Sequence, residues 1–209
     1  MDKPFARLTA WSLMAGSVVG TIGYLAAFLA NGNGLDRFAG SSWIALYTVA
    51  MFGDVLVILG LPAIVHAQRG RFPRLTLIGY VGVLVPMIVL NVGEGAIEGF
   101  AKPYFAHHGG VLAADLPGLA GWEIPALLTM LVGMICLGIA VIRGRVMPIW
   151  VGVVFLIVPF LGLAGLPGIL GLLADFSLFV GLFAVGLCAL GVDAPVTRGT
   201  QAAAEGVAA

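Results

Sequence analysis

The chain has 209 residues, of which 61% are hydrophobic and only ten carry each sign of charge. A soluble domain is about 25% charged, so a chain that is 10% charged cannot cover a water-facing surface. This composition excludes a soluble enzyme, a nucleic-acid-binding protein and a disordered chain. We therefore expect a multi-pass protein of a bacterial-type cell membrane, and the 31 glycines agree with close helix packing in lipid.

Six apolar stretches are long enough to cross a bilayer as helices, which takes about 20 residues. They span residues 8–30, 43–66, 76–100, 123–142, 147–166 and 169–192. The first is predicted to stay in the membrane, because its apolar run is longer than that of a cleaved signal peptide. Only Gly165, Pro167 and Gly168 divide the last two, without any charge. The sequence predicts a single all-α transmembrane domain at 1–192 and a short, polar, disordered tail at 193–209.

Positive residues are distributed unevenly between the predicted loops. Arg37 and Lys102 lie on one side of a six-helix arrangement. The opposite side holds the other eight, which are Lys3, Arg7, Arg69, Arg71, Arg74, Arg143, Arg145 and Arg198. Because lysine and arginine are enriched in cytoplasmic loops, both termini are predicted to be cytoplasmic.

Two local patterns predict how the helices are placed and packed. Four tryptophans lie near predicted helix ends, where amphipathic rings act as anchors at the lipid interface. They are Trp11, Trp43, Trp122 and Trp150. The spacing of Gly16 and Gly20 is a small-xxx-small pattern, which predicts a contact face for another helix.

Five carboxyl side chains lie inside the predicted helices or at their ends, where charge is costly and therefore informative. They are Asp54, Glu94, Glu98, Glu123 and Asp175. At a rise of about 1.5 Å per residue, Asp54 lies about 16 Å below the outer end of its helix, and Glu94 and Asp175 lie about 9 Å below. Glu98 and Glu123 lie at the outer rim. All five belong to the outer half of the membrane, which predicts a shared polar cavity open to the outside.

The third predicted helix carries a polar stripe. Asn91, Glu94 and Glu98 are spaced by three and four residues, so in an α-helix they fall within an arc of about 60°. Such a stripe cannot face lipid. The sequence therefore predicts that these three side chains line the cavity.

A loop of about 20 residues is predicted after the third helix, from Lys102 onward, and long loops are often lids or binding segments. Lys102 follows Glu98 by four residues and is predicted to pair with it. Tyr104 of this loop is a predicted ligand contact. His107 and His108 match no regular spacing of metal ligands, so no metal site is predicted.

Buried carboxyls of this kind predict acid catalysis on a lipid-soluble substrate. A carboxyl in a low-dielectric cavity favours its protonated form, and such an acid can protonate an alkene or an epoxide. Glu94 is the predicted proton donor, and Asp175 or Asp54 holds the counter-charge or assists removal of the final proton. The predicted substrate-binding residues are Asn91, Glu98, Tyr104, Trp122 and Glu123. This chemistry needs no cofactor, and the expected partners are a lipophilic small molecule and the bilayer, with no nucleic acid.

The small size, the helical layout, an acid in a middle helix and an aspartate in the last helix resemble the membrane-bound terpene cyclases of meroterpenoid biosynthesis. Those cyclases close prenyl chains on aromatic groups by protonation, and they are described with seven helices rather than six. The resemblance implies cyclase or isomerase activity on an isoprenoid substrate, with Glu94 as the acid and Asp175 as its partner.

Other functions agree with the same residues. The carboxyls could bind a proton or a cation in a small coupled transporter, although the cytoplasmic half has almost no polar lining. They could instead join helices in a non-catalytic membrane partner subunit. A metal-dependent lipid hydrolase would use Glu94, Glu98 and Glu123 with His107 or His108. An enclosed, aromatic cavity with two acids favours the cyclase, a water path favours transport, and tightly packed acids favour the subunit.

Overall fold

A computed structural model of the chain describes residues 3–32, 35–108, 120–163 and 169–192. Every regular element in these ranges is a helix, which confirms the all-α prediction. The α-helices are α1 (Lys3–Asn31), α2 (Trp43–Gly60), α3 (Pro62–Ala67), α4 (Pro73–Met87), α5 (Lys102–His108), α6 (Ala120–Gly144), α7 (Ile149–Leu163) and α8 (Ile169–Val192). A 3₁₀ turn (Leu35–Ala39) lies between α1 and α2, and two π-helical segments (Ile88–Glu94 and Ile97–Ala101) lie between α4 and α5. The predicted division at 165–168 and the predicted tail at 193–209 lie outside the described residues.

Several helical stretches have the length and apolar composition of membrane spans. Within the described ranges, four are long enough to cross: Lys3–Asn31, Trp43–Ala67, Pro73–His108 and Gly121–Gly144. The apolar parts described for α7 and α8 are shorter, at Ile149–Leu161 and Phe176–Gly191. These stretches agree with a multi-pass membrane protein.

The third predicted helix continues further than expected. Lys102, Tyr104, His107 and His108 belong to α5, so the predicted loop is wrong for these residues. A helix can pass through Pro103 if the carbonyl that loses its donor finds another one. Residues 109–119, the rest of the predicted loop, lie outside the described part of the chain.

Trp43 supplies the donor for the carbonyl that Pro103 leaves without one. In the π-helical segment each N–H bonds five residues back, so the Glu98 carbonyl faces Pro103, which has no N–H. The indole Nε1–H of Trp43 donates to this carbonyl at 3.0 Å. Trp43 is fully buried and stacks on Tyr47, with ring centroids 5.1 Å apart. The interpretation of Trp43 as an interfacial anchor is therefore wrong. The other three tryptophans, Trp11, Trp122 and Trp150, are exposed.

The helix pair α1 and α2 packs backbone against backbone. A Cβ atom at Gly16 would lie only 2.5 Å from the backbone nitrogen of Val57, and one at Gly53 would overlap the backbone of Gly20. No side chain fits between the helices at these points. The predicted contact face at Gly16 and Gly20 is thus confirmed, and its partner on α2 is a small residue as well.

Candidate functional site

A cavity of about 420 Å³ lies between the helices. Small-molecule sites typically measure about 300–1,000 Å³. The polar side chains among its described lining are Tyr24, Tyr47, Asn91 and Glu98. The rest of the described lining is apolar, and its larger side chains include Phe28, Met130, Met134, Phe176 and Phe179. The cavity thus has one polar wall, built by α1, α2 and the π-helical segments, and one apolar wall, built by α6, α7 and α8.

The two π-helical segments place Asn91 and Glu98 on the cavity wall, and Gly95, between them, lies on the same wall. A π-helix bonds each N–H to the carbonyl five residues back, which widens the turn and changes which side chains share a face. The α-helical arc predicted for Asn91, Glu94 and Glu98 is therefore wrong in its geometry. Pro86, near the end of α4, removes one α-helical donor just before this change.

Asp54 lies behind the polar wall of the cavity. It is fully buried in α2 and accepts a hydrogen bond of 2.5 Å from the Tyr24 hydroxyl. The side chain of Asn91 also interacts with the Asp54 carboxyl. Both Tyr24 and Asn91 line the cavity. The Asp54 carboxyl is therefore connected to the cavity by its contacts with these two side chains.

Aromatic contacts hold Tyr24 in this position. Its ring meets Tyr47 edge-on, with centroids 5.6 Å apart, and lies 6.3 Å from the ring of Phe179. Sequence reasoning missed both tyrosines, because they are uncharged and stand inside long apolar runs. The signal that could have identified them is the hydroxyl, which needs a hydrogen-bond partner when it is buried in a membrane helix.

Glu98 is an ion-paired carboxylate at the polar end of the cavity. Lys102 Nζ lies 3.0 Å from Glu98 Oε1, which confirms the predicted pairing. Arg37 Nη2 lies 3.3 Å from the same oxygen, and the guanidinium also lies 4.7 Å from the centre of the Phe38 ring. Sequence reasoning missed Arg37, although it was one of only two cations predicted on this side of the membrane.

The side chains of Glu94 and Asp175 lie outside what the structure describes. Along the chain, Glu94 ends the first π-helical segment, and Asp175 lies within α8. Their predicted catalytic roles therefore stay predictions.

Three predicted ligand contacts are not among the described cavity-lining residues. Tyr104 is 59% exposed and stacks on His108, with centroids 4.2 Å apart. Trp122 lies against the backbone at Gly93, where a Cβ atom would be 2.8 Å from its ring. Glu123 is half-buried in the first turn of α6. Over the ranges described, no group of three or more His, Cys, Asp or Glu residues could hold a metal ion.

Comparison with family models, with curated proteins and with solved structures gives no match for this chain. The resemblance to membrane-bound terpene cyclases stays a prediction.

Proposed function

We propose that this protein is a membrane-embedded, cofactor-free enzyme that cyclises or isomerises a lipophilic, isoprenoid-type substrate by acid catalysis. One observation carries the proposal: a largely apolar, aromatic cavity has a buried carboxyl, Asp54, hydrogen-bonded to a hydroxyl of its wall, Tyr24. The volume suits a small molecule, and the lining suits a hydrocarbon with one polar end.

The proposed proton donor is Asp54, acting through Tyr24. In the reacting form the hydrogen bond between these two side chains is reversed: the protonated Asp54 carboxyl donates its proton to the Tyr24 oxygen, while the Tyr24 hydroxyl turns to the cavity and passes its own proton to a carbon–carbon double bond. A carbocation forms, the ring closes or the double bond moves, and a neighbouring carbon loses a proton to the same pair. The proton gained equals the proton lost, so the product is an isomer of the substrate. Glu94 is the alternative donor.

The cavity wall supplies the other requirement of this chemistry, which is stabilisation of a cation away from water. Aromatic faces attract cations, and the rings of Phe28, Tyr47, Phe176 and Phe179 line the space. Glu98 is paired with two cations, so it serves as a fixed polar group for the substrate rather than as the acid.

We also propose that the chain crosses the membrane six times, with both termini cytoplasmic. In support, the cation-rich segments gather at one end of the bundle. Leu13 of α1 meets Gly60 of α2, and Met14 meets Gly186 of α8, so the start of α1 and the end of α8 lie at the end where α2 leads into α3. The two arginine-bearing turns also meet, because Arg71 donates to the carbonyl of Gly144 at 2.7 Å.

The test uses purified protein in lipid nanodiscs, a prenylated hydroquinone as the probe, and D₂O as the solvent. Mass spectrometry should find a product isomer with one deuterium at the carbon that was protonated. Asp54→Asn and Tyr24→Phe should each slow turnover by about 10²- to 10⁴-fold, the usual contribution of general acid catalysis. Asp36→Asn is the matched control, since it makes the same change as Asp54→Asn at an exposed aspartate outside the described cavity lining, and it should keep its activity.

Two outcomes would change the conclusion. If Asp54→Asn turned over normally while Glu94→Gln was inactive, Glu94 would be the donor and the relay through Tyr24 would be wrong. If Asp54→Asn, Glu94→Gln and Asp175→Asn were all fully active, acid catalysis itself would be refuted.

A further inference from the structure

A second cavity, of about 620 Å³, is a surface groove between α4 and α6. Its walls are Leu77, Ile78 and Val81 of α4 and Leu128, Thr129 and Val132 of α6. These walls are exposed. The floor is Gly82 against Gly133, where a Cβ atom on Gly82 would lie 2.7 Å from the Gly133 Cα atom. The α4–α6 groove is deep because the two backbones touch at its floor without side chains.

The two helices run antiparallel, and their register is given by glycine contacts. Gly82 of α4 contacts Gly133 of α6. Gly79, three residues before Gly82, contacts Leu137, which is four residues after Gly133. Continued toward the start of α4, this register brings Arg74 and Arg143 to nearly the same height. The hydrogen bond from Arg71 to the Gly144 carbonyl supports the same alignment.

Both arginines stand on the groove side of their helices. Ile78 and Val81 follow Arg74 by four and seven residues, and residues at these spacings lie on one face of an α-helix. Arg143 follows Val132 by eleven residues, which returns it to within about 20° of the same direction. Arg74 and Arg143 are exposed, and in the described part of the chain neither forms an ion pair. One end of the apolar groove therefore carries two positive charges.

We propose that the α4–α6 groove binds an anionic phospholipid, with one acyl chain in the groove and the phosphate between Arg74 and Arg143. Leu128, at the far end of the groove, is 15 residues from Arg143, which corresponds to about 22 Å along the helix. Half of a bilayer with its headgroups measures about 20–22 Å, so the groove runs from headgroup level to about the bilayer centre. Basic pockets between membrane helices are known binding sites for anionic headgroups. This site is separate from the internal cavity and does not depend on the proposed enzyme activity.

Native mass spectrometry of the detergent-solubilised full chain tests the proposal. The protein is mixed with equal amounts of phosphatidylglycerol and phosphatidylcholine, each with palmitoyl and oleoyl chains. One phosphatidylglycerol should be retained, at least several-fold more often than phosphatidylcholine. The double variant Arg74→Gln, Arg143→Gln should reduce this retention about tenfold or more. The double variant Arg69→Gln, Arg145→Gln removes the same charge from the same end of the bundle and should reduce it less than about twofold.

A second pair of variants tests the acyl chain. Ile78→Trp fills the groove and should reduce retention of both lipids, whereas Ile22→Trp, the same change on the exposed surface of α1, should not. Equal losses in the two arginine double variants would show diffuse attraction and overturn the site. Displacement of the lipid by 10 mM inorganic phosphate alone would show a free-anion site instead. A dimer abolished by Ile78→Trp would show that a second copy of the chain occupies the groove.

Discussion

Along α1 and α2, glycines bring two backbones into contact, whereas between the two π-helical segments a glycine, Gly95, lines an open cavity. At Gly53 an added Cβ atom would overlap the backbone of Gly20. At Gly95 the nearest atom would be the flexible end of Met51, at an ordinary 3.5 Å. The same residue type thus serves two purposes, and the opposing surface decides which one. Small residues bring two helices together where the facing helix presents its backbone at that point, and they leave space where it presents a flexible side chain.

This difference has an energetic side. Helix association in lipid draws little on the hydrophobic effect and depends on packing and on interhelical hydrogen bonds. The α1–α2 contact supplies such packing, whereas the helices around the cavity make fewer contacts with one another across it. Next to the cavity, polar contacts add to the packing: the hydrogen bond of Tyr24 to Asp54 joins α1 to α2, and the ion pair of Arg37 with Glu98 joins the 3₁₀ turn to the second π-helical segment.

The largest effect is expected from Gly53→Ala. One methyl group there must push α1 away from α2, and overpacking of this kind costs about 2–3 kcal/mol. Unfolding in mixed micelles, titrated with a denaturing detergent, measures the loss. Gly121→Ala is the control, because a Cβ atom at Gly121 meets nothing within 4 Å. Equal stability of the two variants would mean that α1 and α2 do not pack backbone to backbone.

Tyr24→Phe should cost about 2 kcal/mol, because the fully buried Asp54 carboxyl loses the hydrogen bond that the Tyr24 hydroxyl donates. Combining it with Asp54→Asn tests the pair. The double variant should lose less stability than the sum of the two single variants, by about 0.5–3 kcal/mol. Strict additivity in the same unfolding titration would show that the two side chains do not interact.

Glu98→Gln should cost about 1 kcal/mol or less. Its ion pairs with Arg37 and Lys102 are partly exposed, and such pairs are weak and screened by salt. Raising the salt concentration should narrow the difference between wild type and variant. A difference that did not change between low and high salt would argue against an ion-paired Glu98.

The smallest effect on stability is expected from Gly95→Ala, within about 0.5 kcal/mol. Its new methyl group has an ordinary contact distance to Met51, and alanine is a better helix former than glycine. Because Gly95 lines the cavity, the same change should weaken probe binding while leaving unfolding unaffected. A loss as large as that of Gly53→Ala would show that the cavity wall is packed as tightly as the α1–α2 contact.

The helices were predictable from the sequence because a membrane leaves few alternatives for a long apolar run. The Gly16–Gly20 contact and the pairing of Lys102 with Glu98 were predictable too, since both depend on spacing within one helix. The π-helical segments were not predictable, because the spacing rules used for the sequence assume the hydrogen-bond register of an α-helix. Tyr24, Tyr47 and Arg37 were missed because their roles come from residues far away in the chain.

The π-helical stretch also decides where this protein can tolerate a change in chain length. In an α-helix such as α4, loss of one residue rotates everything beyond it by about 100°. A π-helical turn holds a surplus residue, so a deletion within Ile88–Glu94 can return that turn to the α form with the flanking helices kept in phase. The bundle would remain, while Asn91 and its neighbours would present a different set of side chains to the cavity. A single-residue deletion here is therefore a route by which related chains could acquire a different substrate range without rebuilding the fold.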